Sequence, residues 1–153
     1  MNSAFCYETN IGKIGIVENG SFITHVYFGE STPQDANITE TPLLKKASKQ
    51  LQEYLEGKRK IFNLPLAPKG TEFQEKVWRA LQEIPYGKTY SYKDIAKSIG
   101  NIKASRAVGM ANNKNPILIF IPCHRIIGTS GKLVGYAGGL DVKEKLLEME
   151  AIF

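Results

Sequence analysis

Cysteine, histidine and arginine stand side by side at Cys123-His124-Arg125, directly after Pro122. A thiolate is a strong nucleophile, an imidazole can take its proton, and a guanidinium carries a fixed positive charge. A free cysteine has a pKa of about 8.5, so only a few per cent is ionised at neutral pH. A neighbouring base or cation raises that fraction many-fold, and such surroundings favour thiolate over thiol. Nucleophilic chemistry at Cys123 uses all three residues. The alternative is a buried structural cysteine next to a surface histidine and arginine, since cysteine is among the most buried residue types.

Something must hold the thiol in place. Ile117–Ile121 is wholly apolar, with four of its five residues β-branched or aromatic. It reads as a short buried strand that Pro122 ends, because proline cannot donate to a ladder. The spacing therefore predicts a nucleophile at the end of a rigid strand.

The chain around it has 153 residues and is 42% hydrophobic. That suits one ordinary domain or two small ones with a substantial core. Two cysteines, Cys6 and Cys123, make no disulfide framework. MNSAFCYETN lacks the basic and apolar runs of a signal peptide, and no segment approaches a membrane span. A cytoplasmic, reducing setting is expected, where a thiol persists. Cys6 and His25 are too few for a metal site, and no metal or cofactor is expected.

Charge is concentrated. From Tyr86 to Lys132 there are eight basic residues and one acidic one, Asp94, a net of +7. The whole chain carries +5, which leaves −2 for the remainder. A basic segment on a near-neutral chain points to a polyanion partner.

The front of the chain reads as three strands, 3–8, 11–17 and 22–28, with a hairpin signal at Asn19-Gly20. A polar loop over 31–37 follows. Thr41 caps a helix with Pro42 at its first position, apolar residues recur from Leu44 to Leu55, and Gly57 closes it. No chemistry is visible in this part. Residues 58–70, with Pro65 and Pro68, read as a linker. Thr71 and Gln74 form a capping box for a helix carrying Phe73, Val77, Ala80, Leu81 and Ile84. Ser91 opens another helix that Gly100 stops, and a third runs over 103–112 with small residues Ala104, Ala107, Gly109 and Ala111. Helix, short glycine turn, helix is the helix-turn-helix pattern. Lys103, Ser105, Arg106, Asn112 and Asn113 around the second helix can meet phosphate or bases. A hairpin over 126–134 turning at Thr129-Ser130-Gly131, a glycine loop over 135–139, and a closing helix over 141–149 complete the chain. Glu150 falls at the end of that helix.

Ile121-Pro122-Cys123-His124-Arg125 resembles the active-site motif of the methylated-DNA–protein-cysteine methyltransferases, the 6-O-alkylguanine-DNA alkyltransferases. Ile84-Pro85-Tyr86-Gly87, Ser91-Tyr92, Arg106-Ala107-Val108-Gly109, Asn115-Pro116, Gly135-Tyr136-Ala137-Gly138-Gly139 and Lys143-Glu144 occur in that family's order and spacing. The resemblance is specific from about Thr71 onward and loose in the first 65 residues. It implies an α/β fold: a small N-terminal sheet-plus-helix unit over 1–65, then a mostly helical domain with the helix-turn-helix over 66–153.

The resemblance also implies roles. Cys123 would accept an alkyl group from the 6-oxygen of guanine in double-stranded DNA, once per molecule. His124 would take the thiol proton through a water, oriented by Glu150. Arg106 would enter the stack in place of the flipped base, with Lys103, Ser105, Ala107, Gly109 and Asn112 on the DNA-facing helix. That helix would lie in the minor groove. Tyr92 would press on the flipped nucleotide's phosphate and protonate the departing guanine. Asn115 would brace the turn before the active-site strand, and Tyr136, Ala137 and the Ile126 backbone would line the base pocket. Some relatives have serine in place of Ala137, so here only backbone can donate to the 6-oxygen at that position. A monomer is expected. The competing readings are a Cys-His hydrolase, a non-enzymatic binder of alkylated DNA, and a helix-turn-helix regulator with an incidental thiol.

Overall fold

The computed structural model describes residues 2–29, 33–128, 131 and 133–153. Strands β1 (Ser3–Thr9), β2 (Gly12–Glu18) and β3 (Ile23–Phe28) form an antiparallel meander. Asn19 closes the second hairpin, its backbone N–H meeting the Phe22 carbonyl at 3.0 Å. A two-residue strand, β4 (Asn37–Ile38), pairs parallel with β1 and gives the order β3-β2-β1-β4. This edge strand includes the end of the stretch expected to be a polar loop. Two residues are too short to give a period in sequence, and pairing with β1 alone defines it.

Helix α1 (Pro42–Leu55) starts where Thr41 Oγ1 accepts from the Leu44 N–H at 3.2 Å. Its apolar stripe Leu44, Ala47, Leu51 and Tyr54 is completely buried. The linker is not slack. Ile23 donates to Pro65 O at 2.8 Å and Ala67 donates back to Ile23 O at 2.9 Å, so the linker runs along the open edge of β3. Gln50, inside α1, pairs both ways with the Asn63 backbone at 3.2 and 2.9 Å.

Helices α2 (Glu72–Gln82) and α3 (Tyr92–Ser98) both begin with the reciprocal capping box, Thr71 with Gln74 and Ser91 with Asp94. Gly100, at φ +80, ends the turn after α3, and α4 (Ser105–Asn113) follows. Lys103 and Ala104 precede α4 rather than lying within it, and no side chain caps it. Trp78 Nε1 donates to Ala111 O at 2.8 Å and ties α2 to α4 beneath the helix-turn-helix. Helix α5 (Leu140–Ile152) is longer than the expected 141–149, so Glu150 lies inside a helix rather than at its end.

The expected strand over Ile117–Ile121 does not form as such. Pro116 O accepts from Val26 N–H at 2.9 Å, making one bridge to β3, and the chain then coils tightly. Phe120 N–H meets Leu118 O at 2.8 Å, Ile121 N–H meets Ile117 O at 3.1 Å, and Cys123 N–H meets Ile121 O at 2.8 Å. Ile119 takes φ +70, a left-handed conformation that a β-branched residue adopts at a cost of about 1–3 kcal/mol. The side chains are apolar because the whole coil is buried, which an alternation-free run cannot distinguish from a buried strand. Of the hairpin expected over 126–134, the described residues show a turn-closing bond, Gly131 N–H to Gly128 O at 2.9 Å, but no ladder: Ile127 donates to Tyr90 O at 2.9 Å instead. Thr129 and Ser130, at its expected turn, lie outside the described residues.

One continuous core joins the front sheet (Ile14, Ile16, Ile23), α1 (Leu51, Tyr54), α2 (Val77, Trp78, Leu81), the coil (Ile117–Ile121) and α5 (Leu146).

Candidate active site

Cys123, His124 and Arg125 form a single 3-10 turn, η1, immediately after the coil. The three side chains of this tight turn do not share one role. His124 and Arg125, next to the thiol in sequence, both turn to Glu150 on α5. His124 Nε2 lies 2.7 Å from Glu150 Oε2. Arg125 donates from Nε to Oε1 at 2.9 Å and from a terminal nitrogen to Oε2 at 3.1 Å, a two-pronged pair. Its other terminal nitrogen donates to Ile84 O at 2.7 Å. Tyr54, from α1, donates its hydroxyl to Glu150 Oε2, and its oxygen lies 3.3 Å from His124 Nε2.

The Gly87 N–H completes the cluster at 3.2 Å from Glu150 Oε1. Gly87 has φ +79, and a side chain there would begin 3.4 Å from the Glu150 carbonyl oxygen. The turn before α3 thus presents a bare N–H to the carboxylate where other residues would be strained.

These contacts set the ionisation states. Burial by itself would raise the Glu150 carboxyl. Hydrogen bonds from His124, Arg125 and Tyr54 outweigh it and hold the group at about 2, so it is a carboxylate. Burial lowers His124 from its ordinary 6.5, against the pull of Glu150, so the ring is neutral at pH 7. A neutral ring with Nε2–H facing a carboxylate keeps its lone pair on Nδ1. Nδ1 is buried and has no hydrogen-bond partner among the described residues. A base is therefore held with its acceptor atom uncommitted.

Cys123 is only 3% exposed, and burial pushes its thiol up to about 11. The Asn115 amide and the Lys143 ammonium pull the other way and do not prevail. This corrects the expectation that Arg125 and His124 make a thiolate by adjacency. The guanidinium is spent on Glu150, and desolvation decides the thiol. The group rests as a thiol and needs a base at the moment of reaction.

Asn115 binds the coil at both ends: Nδ2 donates to Ile121 O at 2.9 Å and Oδ1 accepts from Ile117 N–H at 3.0 Å. Lys143, fully buried on α5, donates to Ile126 O and, at 2.8 Å, to Val134 O. Burial lowers it to about 8. It ties the strand-like segment after η1 to the loop carrying Tyr136 and Ala137. The Tyr136 hydroxyl is buried without a hydrogen-bond partner among the described residues, its ring centroid 6.5 Å from that of His124, while Ala137 is exposed. Tyr92, at the first turn of α3, is raised by burial and by the nearby Cys123, and its ring passes 3.6 Å from where a side chain on Gly109 would begin. Tyr92 thus links the thiol to α4.

On α4 the residues sort by face. Arg106 and Ala107 are exposed, as is Lys103 just before the helix, and Ser105 and Gly109 are half-buried. Asn112 is buried, which turns it away from any surface partner. Met110 is 64% exposed and Ile102 53%, unusual exposure for apolar side chains next to a basic face.

Reading along the chain missed Tyr54, Gly87 and Lys143 as members of the site. Tyr54 lay on an apolar helical stripe and gave no chemical signal. Gly87 and Lys143 were visible only as parts of the resemblance. Among the described residues no group of three or more His, Cys, Asp or Glu side chains could hold a metal ion. No helix of the described chain is long and apolar enough to cross a membrane.

Comparison with known proteins gives a consistent picture. Residues 5–68 match the ribonuclease-like domain of 6-O-methylguanine DNA methyltransferase, and residues 72–152 match its DNA-binding domain. The methylated-DNA–protein-cysteine methyltransferase of Methanosarcina acetivorans is 50% identical over 148 residues, covering 94% of this chain and 95% of the relative. The constitutive enzyme of that name from Bacillus subtilis is 47% identical over 160 residues, covering 99% and 97%. The crystal structure of Mycobacterium tuberculosis OGT in complex with DNA superposes with a TM-score of 0.92 at 41% identity, covering 98% of this chain and 93% of that one.

Proposed function

The chain belongs to the 6-O-methylguanine DNA methyltransferase family, and from that premise we propose that it repairs DNA by moving an alkyl group from the 6-oxygen of guanine onto its own Cys123. The observation that carries this is the pairing of a buried thiol with a neutral His124. The imidazole Nε2 is tied to Glu150 and its Nδ1 is left to accept.

The thiol proton passes through a water to His124 Nδ1, and Glu150 stabilises the imidazolium that results. The Cys123 sulfur attacks the alkyl carbon. The S–C bond forms as the bond from that carbon to the guanine 6-oxygen breaks. The displaced guanine takes a proton from Tyr92, whose hydroxyl burial keeps protonated. The thioether is stable and nothing in the site offers a route back, so each molecule acts once.

A base in a duplex cannot reach a thiol this deeply buried, and extrusion costs a few kcal/mol. Arg106 fills the gap, while Lys103, Ser105, Ala107 and Gly109 let α4 approach the minor groove. Asn112, buried on the inner side of α4, stays out of that contact. Tyr136, Ala137 and the Ile126 carbonyl region form the base pocket, which Lys143 holds together. The chain divides functionally into a supporting unit over 1–65 and a DNA-binding, alkyl-accepting unit over 66–153. It works as a monomer, since one chain supplies the whole relay. Both cysteines are free, which suits a reducing cytoplasm.

The test is the intact mass of the protein after incubation with a duplex carrying 6-O-methylguanine. One added methyl, mapped to Cys123 and stoichiometric with repair, is the expected result. Tight binding with no mass change would overturn it in favour of a damage binder.

A further inference from the structure

Glu150 receives a hydrogen bond from outside the DNA-binding unit. Tyr54 belongs to α1, and its hydroxyl donates to Oε2, the same oxygen that His124 Nε2 approaches at 2.7 Å. The phenol oxygen is itself 3.3 Å from Nε2, so imidazole, carboxylate and phenol close a triangle. The ring is held from two sides, by Phe62 of the linker at 5.1 Å between centroids and by Tyr86 at 6.2 Å. Tyr54 has no exposed surface, so its hydroxyl has no water to turn to and stays aimed at the carboxylate.

We infer that Tyr54 is a positioning residue for the alkyl transfer: its hydroxyl shares the Glu150 oxygen that faces His124 and so sets how strongly that carboxylate binds the imidazole proton. This rests on the reading of His124 as the base. Oε2 also takes an Arg125 terminal nitrogen at 3.1 Å, and each donor an oxygen accepts makes it a weaker acceptor for the others. With the phenol in place the imidazole is less basic, and it stays neutral, ready to accept, to lower pH. The front unit, on this inference, takes part in the chemistry through one atom. The other groups facing the pair are Arg125 on η1, Lys143 on α5, Tyr86 on the turn before α3 and Tyr136 on the glycine loop. Lys60 stands over the far side, 5.4 Å from the Tyr86 ring centroid.

The test is Tyr54→Phe in the full chain, which keeps the ring and removes the hydroxyl. Transfer from a methylated duplex falls off in acid as His124 protonates. Without the phenol the imidazole gains basicity, so that acid limb is expected to move to higher pH by about half a unit or more. A rate loss equal at every pH, or a lower melting temperature with the limb unmoved, overturns the inference and leaves Tyr54 as packing. Phe62→Leu controls for packing, since it loosens the same ring without touching the hydroxyl. It should lower the melting temperature with the limb in place. The chain has two histidines, so the ring nitrogens are separately observable by NMR. The 15N shifts of His124 should change in Tyr54→Phe while those of exposed His25 do not. If the native protein transferred no methyl, the function above would fail, and the His124 shifts alone would decide the role of Tyr54.

Discussion

Around Glu150 every charge is answered inside the protein. Arg125, His124, Tyr54 and the Gly87 N–H converge on two oxygens, and the carboxylate is almost wholly buried. Arg106 on the outer side of α4 and Lys103 just before that helix project into solvent, with exposed Ile102 and Met110 beside them. The first region is finished before any partner arrives. The second is left incomplete, and a phosphate backbone would complete it. A buried charge must be paired within the fold or it destabilises the fold. An exposed cation costs nothing until it finds a partner, and counterions leave when it does. Reaction and recognition therefore respond to different perturbations.

The largest separation between the regions is expected from Cys123→Ala. It should abolish alkyl transfer and leave DNA affinity intact, as read by mass spectrometry and by a binding titration. Transfer retained in that variant would remove Cys123 as the acceptor. Arg106→Ala attacks the other region. Extrusion costs a few kcal/mol, so its loss should slow repair of duplex by roughly 10- to 100-fold while reaction with the free alkylated base changes little. Equal losses on both substrates would remove the flipping role.

Glu150→Gln should strike stability as well as chemistry. It strands the buried Arg125 guanidinium, and an unpaired buried charge costs about 3–5 kcal/mol, visible as a drop in the urea midpoint. No change in midpoint would mean that the cluster is not the closed unit described. pH sharpens the same point. Glu150 is held at about 2 against an ordinary 4.5, so its contribution is complete above pH 4.5 and is lost as pH falls toward 2. His124, lowered from 6.5 by burial, adds a loss in the same direction that starts near pH 6.5. The native urea midpoint should fall through this range, and Glu150→Gln should flatten the part below 4.5. The smallest effect belongs to Lys103→Ala. It should weaken DNA binding uniformly across sequences and reduce the salt slope by about 1, with alkyl transfer at saturating DNA unaltered.

Local chemistry is what the sequence determined by itself. Thr41, Thr71 and Ser91 announced their helices because a cap bond spans only three residues. Asn19-Gly20 announced its hairpin for the same reason. The helix-turn-helix was legible from two short periodic stretches around Gly100, and Cys123 with His124 from adjacency and the family motif. Adjacency also misled. Arg125 is close to the thiol in the chain yet serves Glu150, because α5 brings that carboxylate against η1 and the guanidinium pairs with it.

Only the tertiary structure decided the rest. Ile117–Ile121 reads as a strand, but regular pairing needs a partner edge, and β3 offers only one bridge before Asn115 gathers the segment into a coil. Tyr54 and Glu150 are 96 positions apart and meet through one hydroxyl. No periodicity encodes such a contact, because it depends on where two helices pack. The protonation of Cys123 was likewise out of reach. Its thiol is set by desolvation, and how far a group is removed from water is a property of the assembled fold.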